Sequence, residues 1–120
     1  MLPAGSRLHT SDDFAVVVRS GRRAGTRHLV VHLLGTGRAA SPRAGFVVSA
    51  KVGNAVIRHR VTRRLRPLVR QELAGLPTGT DLVIRALPAA ATASSAELGR
   101  DLTSGLAAAQ RRRPSVGAVR

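Results

Sequence analysis

Residues 51–70, with the sequence KVGNAVIRHRVTRRLRPLVR, decide how this chain folds. On an α-helix, the aliphatic side chains of this stretch fall on roughly one third of the circumference. They are Ile57, Val61, Leu65, Leu68 and Val69. We predict a helix from about residue 54 to residue 73 that buries this stripe in a small core. Pro67 removes one helical hydrogen bond and predicts a kink, not an end, because the stripe continues beyond it.

The rest of this helix carries arginines, with no carboxylate among them before Glu72. Arg58 lies at the edge of the stripe, where a long side chain can reach solvent. The others lie outside the stripe: Arg60, Arg63, Arg64, Arg66 and Arg70. Guanidinium groups are planar, permanently charged and rich in donors that match phosphate oxygens. A face that is merely solvated usually mixes both signs of charge, so this pattern favours a polyanion, and nucleic acid is the abundant one in cells.

The composition of the 120-residue chain supports the same partner. The net charge of +14 and the sequence pI near 12 favour nucleic acid or an anionic membrane surface. The chain has no Cys, which excludes disulfides and thiolate metal sites, and only two aromatic residues, both Phe, so the aromatic anchors of interfacial helices are missing. Because no apolar run approaches the ~20 residues of a membrane span or resembles a signal peptide, we expect no membrane partner and a cytoplasmic protein.

The remaining patterns predict a single domain over residues 1–110 and a disordered basic tail over residues 111–120. Ser11 is the expected cap of a first helix over about 12–20, which Gly21 ends. Short aliphatic runs predict strands at 28–34, 44–49 and 81–87, and a last helix follows over about 95–110. The order α-β-β-α-β-α predicts an α+β fold, with a small sheet that carries its helices on one face.

The sequence offers no constellation for catalysis or metal binding. The four His are scattered at spacings that suit no ligand set, and no pair of the six carboxylates indicates a two-metal site for phosphodiester cleavage. We therefore expect the protein alone to be inert. A DNA-binding module is a weaker alternative, because the spacing of a helix-turn-helix and the Asn or Gln base readers are absent.

The segment from Ser49 to Arg66, SAKVGNAVIRHRVTRRLR, closely resembles the signature of the protein subunit of bacterial ribonuclease P. That signature is roughly Ser-Lys-Lys-Val-Gly-Asn-Ala-Val-x-Arg-Asn-Arg-x-Lys-Arg-x-x-Arg. The similarity extends to Arg7-Leu8 followed by Asp13-Phe14 near the N-terminus and to residues 81–88, and so covers nearly the whole chain.

The resemblance implies a fold like domain 2 of ribosomal protein S5, with a left-handed βαβ crossover. It implies the RNA-binding subunit of a ribonucleoprotein endonuclease that removes the 5′ leader from precursor tRNA. The expected partners are the ribonuclease P RNA and precursor tRNA, with the protein as a monomer within the complex. Catalysis would belong to the RNA subunit and to Mg²⁺ ions held mainly by that RNA, so no catalytic residue and no metal ligand are expected in the protein.

The resemblance also assigns roles to individual residues. The expected RNA-binding residues are Lys51, Gly53, Asn54, Arg58, His59, Arg60, Arg63, Arg64 and Arg66. Arg70 belongs to the same row of arginines and is expected to bind RNA with them. A cleft between the N-terminal helix and the sheet would hold the leader, with Phe14, His32 and Arg85 as its expected residues. Plainer alternatives stay open: Gly53 and Asn54 as a simple turn, Phe14 and His32 as core residues, His59 as an exposed side chain, and Arg85 as a residue that faces the helices.

The chain departs from the family pattern at several positions. Ala50 stands in place of a Lys, Thr62 in place of a Lys, and His59 in place of an Asn. Val18 stands where a second cleft aromatic is usual, so we expect weaker stacking of leader bases than in a more aromatic relative. A ribosomal or RNA-chaperone-like RNA-binding protein without processing activity is the alternative function.

Overall fold

The computed structural model describes residues 4–112 and contains three α-helices and four β-strands within that range. In chain order these are α1 (Ser11–Ser20), β1 (Arg22–Gly25), β2 (Leu29–Gly35), β3 (Arg43–Val47), α2 (Ala55–Leu73), β4 (Thr80–Ala86) and α3 (Ser95–Arg111). Short 3₁₀ helices at Ala4–Ser6 and Pro88–Thr92 complete the described part of the chain. The α+β class is confirmed. The predicted tail lies outside the described residues from residue 113 onward.

The strands form one mixed sheet in the order β1-β2-β4-β3. β1, β2 and β4 are antiparallel, whereas β3 and β4 are parallel neighbours joined through α2. The handedness of this crossover stays a prediction from the resemblance. β1 was not expected from the sequence, because Arg-Arg-Ala-Gly has little strand propensity; it forms at the sheet edge by pairing with residues 30–33 of β2.

The main core lies between one face of the sheet and the helices α2 and α3. The predicted stripe of α2 is confirmed: Val61, Leu65 and Val69 are fully buried, and Ile57 and Leu68 pack against the same cluster. Alternate residues of β2 and β4 supply the other wall, because successive side chains of a strand point to opposite faces. They are Leu29, Val31, Leu33, Leu82, Ile84 and Ala86.

Helix α1 lies on the other face, so the expectation that all helices share one face was wrong. Val17 of α1 is fully buried in a second, smaller cluster with Leu8 and Val83. Val83 alternates with the core-facing residues Leu82 and Ile84 and therefore points to the opposite side. Its side chain belongs to a second apolar face of the sheet, which only the strand pairing could reveal.

The ends of the helices follow their capping chemistry. The cap of α1 is Thr10 and not the expected Ser11; its hydroxyl accepts from the Asp13 amide, and the Asp13 carboxylate accepts from the Thr10 amide. Gly21 ends that helix as predicted. Helix α2 continues through Pro67, which confirms that this proline does not end it.

Candidate nucleic-acid interface

The start of α2 is fixed by two residues that the sequence assigned to RNA. Asn54 caps the helix, and its side-chain oxygen accepts a hydrogen bond from the Ile57 amide at 3.0 Å. Gly53 packs closely against the same residue, since a Cβ at position 53 would lie 2.9 Å from Cγ2 of Ile57. Lys51 is exposed just before this turn. Gly53 and Asn54 therefore have structural roles that account for their identity, and Lys51 is the exposed cation of the loop.

One side of α2 faces a cavity of about 480 Å³, which we call the Phe14 cavity. Its lining combines aromatic rings with cations and includes Arg7, Phe14, Phe46, Arg58, His59 and Arg66. Residues 55, 58, 59, 62 and 66 recur at helical spacing, so they reach the cavity from a single face of α2. The Nε of Arg58 is buried and has no hydrogen-bond partner among the described residues. Two aromatic rings and a hydrogen-bond donor without a partner among the described residues therefore belong to the lining of one cavity.

The opposite side of α2 forms hydrogen bonds within the protein. Nη2 of Arg60 donates to the Ala91 carbonyl at 3.1 Å, and Nη1 of Arg64 donates to the Ala93 carbonyl at 2.6 Å. Both carbonyls belong to the segment at the 3₁₀ helix Pro88–Thr92, which therefore docks against α2. Arg60 and Arg64 were expected to contact RNA; the structure gives each of them a contact within the protein, with other N–H donors of the same groups left over. Arg63 and Arg70 are exposed.

Two acidic residues, Asp81 and Asp101, contact basic residues elsewhere in the fold. Asp81, only 4% exposed, accepts hydrogen bonds from Arg43 at 3.0 and 2.8 Å and from Arg38 at 2.9 and 3.4 Å. Burial alone would raise the pKa of Asp81, but the hydrogen bonds from Arg43 and Arg38 lower it below its ordinary value. Asp101 lies 2.8 Å from Nδ1 of His28. The Phe14 cavity, by contrast, has arginines and no carboxylate among its described lining residues.

The three residues expected in the leader cleft are not brought together. Phe14 lines the Phe14 cavity and also a second, shallower cavity of about 640 Å³ between α1 and β3, the α1–β3 cavity, which includes Val18, Phe46 and Val47. His32 is 1% exposed and lines neither cavity, and Arg85 is half-buried and also lines neither. His32 was expected in the leader cleft, but its burial agrees with the alternative of a core residue.

His32 also keeps an unusual protonation state. Its pKa falls to about 4, because burial disfavours the charged imidazole and the cations of Arg85 and Arg23 lie close to it. Neither ring nitrogen has a hydrogen-bond partner among the described residues. The side chain is therefore a buried, uncharged imidazole on the face of the sheet that carries α1.

Sequence reasoning missed two lining residues of the Phe14 cavity, Arg7 and Phe46. Phe46 could have been found from composition, since it is one of only two aromatics in the chain. Arg7 belongs to the N-terminal stretch that resembles the family, but its place at this cavity could not be predicted, because it reaches the site through a parallel bridge with Ala44 of β3. Among the described residues, no group of three His, Asp or Glu could hold a metal ion.

Comparison with known proteins finds relatives of this chain in one family. The family model "Ribonuclease P" matches residues 2–110. The chain is 49% identical to the ribonuclease P protein component of Salinispora tropica, over 92% of this chain and 94% of that protein. It is 57% identical to the one of a Nocardioides species, over 85% of this chain and 89% of that protein.

Solved structures share the fold. The ribonuclease P protein of Staphylococcus aureus superposes with a TM-score of 0.79 at 24% identity, over 88% of this chain and 95% of that one. The protein of Thermotoga maritima gives a TM-score of 0.70 at 24% identity, over 82% and 92% of the two chains.

Proposed function

This chain belongs to the ribonuclease P protein family, and we propose that the Phe14 cavity and the arginine face beside it form its RNA-binding surface. The family's enzyme is a ribonucleoprotein endoribonuclease whose RNA subunit is catalytic. The chain acts with that RNA in removing the 5′ leader from precursor tRNA.

The observation that carries the proposal is the lining of the Phe14 cavity. Phe14 and Phe46 supply planes on which unpaired bases can stack, worth about 1–3 kcal/mol per base. Arg58 and Arg66 supply cations from one face of α2, and Arg58 Nε is a buried donor with no partner among the described residues. Single-stranded RNA offers both matching groups, unpaired bases that can stack on the rings and phosphates that can bind the arginines. Duplex nucleic acid keeps its bases stacked away from such a site.

We assign the leader of precursor tRNA to the Phe14 cavity and the adjoining α1–β3 cavity. The exposed polar and basic side chains around the start and outer side of α2 then contact the ribonuclease P RNA: Lys51, His59, Arg63 and Arg70. Arg60 and Arg64 act in the protein first, by holding residues 91–93 against α2, and offer their remaining donors to RNA. The protein works as a monomer in this arrangement, since one chain presents both surfaces.

The bond-breaking step falls to the RNA and its Mg²⁺. The described residues contain no cluster of His and carboxylate side chains with which the protein could hold such ions, and this supports the assignment. Asp81 and Asp101 are engaged by Arg and His partners in the fold. The protein contributes affinity for the substrate and neutralises phosphate charge near the site of cleavage.

We place the protein in the cytoplasm with the tRNA precursors on which the enzyme acts. Among residues 4–112, no helix has the length and apolar character that crossing a membrane requires.

Reconstitution tests this function. The chain is added to a bacterial ribonuclease P RNA at low Mg²⁺, and the rate of 5′ processing of a precursor tRNA is measured. We expect strong stimulation by the wild-type chain, a large loss with Arg58→Gln combined with Arg66→Gln, and no loss with Arg100→Gln. Arg100 is the matched control, because it is exposed on α3 and lines a different cavity, beside Leu68 and Glu72.

Two results would overturn the proposal. One is the absence of stimulation by the wild-type chain, which would favour the alternative of an RNA-binding protein without processing activity. The other is cleavage of the precursor by the purified polypeptide after all RNA has been removed.

A further inference from the structure

A second group of cations lies away from α2 and has no part in the RNA-binding surface around the Phe14 cavity. It comprises Arg19, Arg22, Arg23, Arg111 and Arg112, which we call the distal basic patch. Arg19 ends α1, Arg22 and Arg23 begin β1, and the other two end α3. All are exposed except Arg22, which is half-buried.

The fold fixes these three element ends beside one another. Nη1 of Arg22 donates to the Gln110 carbonyl at 3.1 Å, which ties β1 to the last turn of α3. At the end of α1, Gly21 is pressed against β2, since a Cβ at that position would lie 2.9 Å from the Leu33 carbonyl oxygen. The patch therefore lies around the β1 edge of the sheet, where the ends of α1 and α3 are held next to β1.

No carboxylate lies in the segments that form the patch, residues 19–25 and 110–112. On α3 the preceding acidic residue is Asp101, nine residues before Gln110, which is about 14 Å along a helix. That carboxylate is already engaged by His28. On α1 the acidic residues stand in the first turn, at the other end of the helix. A concentration of like charge of this kind attracts a polyanion.

The sheet connects the patch to the α1–β3 cavity. Val47 lines that cavity and is the register partner of Arg85 on β4, which in turn pairs with Val30 on β2. On the same face, two residues along β2 from Val30, His32 pairs with Arg23 of β1. The cations of Arg85 and Arg23 both lower the pKa of His32, which agrees with their lying on either side of it. Arg85 and Arg23 therefore lie on the same face of the sheet as Val47, on either side of the buried His32.

We propose that the distal basic patch binds phosphates of the 5′-distal part of a long leader, beyond the nucleotides held in the Phe14 cavity. This proposal rests on the proposed function, because it extends the same RNA strand. The occupant is single-stranded RNA, since the patch concentrates arginines without carboxylates and its Arg23 lies on the face of the sheet that carries the α1–β3 cavity. Contact here requires no base recognition and depends only on leader length.

The test uses the holoenzyme reconstituted with ribonuclease P RNA and three substrates: mature tRNA, a precursor with a leader of about 5 nucleotides, and one of about 15 nucleotides, within the range that such surfaces cover. Binding is measured for the wild-type chain, for Arg23→Gln combined with Arg112→Gln, and for Arg27→Gln. Arg27 is the matched control, an exposed arginine in the turn at the other end of β1.

We expect the double variant to lose affinity several-fold for the long leader only, with Arg27→Gln unchanged. The salt dependence for the long leader should become shallower by about 1.4 in log K against log salt, since each phosphate contact to a single strand contributes about 0.7. In the wild type, the long leader should show a steeper salt dependence than the short one, a reading that needs no variant.

Equal loss for all three substrates would place the patch on the ribozyme or the tRNA body and overturn the proposal. So would unchanged binding of the long leader, or wild-type salt slopes that are equal for the two leaders. Failure of the proposed function is a separate result: the short leader would then bind no better than mature tRNA.

Discussion

The ring of Phe14 lies directly on Gly45, at the point where α1 passes over β3. A Cβ at position 45 would overlap the ring atoms of Phe14, so only glycine allows this approach. Phe14 lines both the Phe14 cavity and the α1–β3 cavity, and Gly45 lines the first of them. The missing side chain of Gly45 thus fixes how deeply the ring of Phe14 sits in the Phe14 cavity.

Replacing Gly45 with Ala should move Phe14 and destabilise the fold. We expect a loss of about 1–3 kcal/mol in the free energy of unfolding, the usual cost of overpacking, measured by urea denaturation. Leader affinity should fall with it in the reconstituted enzyme. Gly25→Ala in β1 is the control, because nothing lies within 4 Å of a Cβ at that position. Equal effects of the two substitutions would show that the Phe14 contact is not the cause.

The two sides of α2 should respond differently to loss of an arginine. Arg58→Gln should weaken RNA binding and change the free energy of unfolding by less than about 0.5 kcal/mol, because Arg58 Nε has no partner among the described residues. Arg64→Gln should cost about 1 kcal/mol of stability, since it removes a hydrogen bond to the Ala93 carbonyl. Filter binding and thermal unfolding of both variants separate the two roles. The reverse pattern would contradict the assignment of the two faces.

Adding an aromatic to α1 should strengthen leader binding. Val18 is 42% exposed and lines the α1–β3 cavity one helical turn from Phe14. Val18→Phe should give one more stacking plane, worth up to about 1–3 kcal/mol for one base, and so tighten binding of precursor over mature tRNA. Val16→Phe is the matched control, since Val16 is similarly exposed but lines neither cavity. Unchanged leader affinity for Val18→Phe would show that the leader does not pass this side chain.

The neutral state of His32 predicts a pH dependence of stability. The pKa of His32 is about 4 in the folded protein and near 6.5 in the unfolded chain, so between these values only the unfolded chain takes up the proton. The free energy of unfolding should therefore fall as the pH drops from 6.5 to 4, by up to about 3 kcal/mol. Urea denaturation at several pH values should show a flatter profile for His32→Leu, whereas His59→Gln, at an exposed position, should keep the wild-type profile. Parallel profiles for His32→Leu and the wild type would contradict a buried neutral imidazole.

The paired carboxylate at the start of β4 should be important for stability. Asp81→Asn would leave Arg38 and Arg43 without their shared anion, and we expect a loss of about 2–4 kcal/mol. Because its pKa is lowered, the wild-type contribution should persist at neutral pH and be lost only as the pH falls below the ordinary Asp value. Chemical denaturation at pH 7 measures the loss. Asp12→Asn, at an exposed position in α1, should be nearly neutral, and a similar loss there would argue against a special role of the buried pair.

Local rules explain which elements could be anticipated. The stripe of α2, its start near Asn54 and its continuation through Pro67 follow from helical spacing and capping chemistry. The strands β2, β3 and β4 were found within one or two residues, because each is a short aliphatic run between turn residues. β1 could not be found this way, since its residues become a strand only by pairing with β2.

The same division holds for the RNA surface. The absence of carboxylates among the arginines of residues 58–70 is a property of the sequence, and by itself it indicates a polyanion. Which arginines face a cavity and which bond to carbonyls depends on the neighbours of α2. These neighbours, Phe14 and Ala93, lie about 50 and 30 residues away in the chain.

The sequence by itself determined a basic helix with one buried stripe, a small α+β domain and a preference for polyanions, because charge and hydrophobic periodicity are properties of adjacent residues. The tertiary structure alone decided that α1 covers the other face of the sheet, that His32 is buried between two arginines, and that Phe14 rests on Gly45. These features depend on the pairing of strands distant in sequence, which no local pattern records.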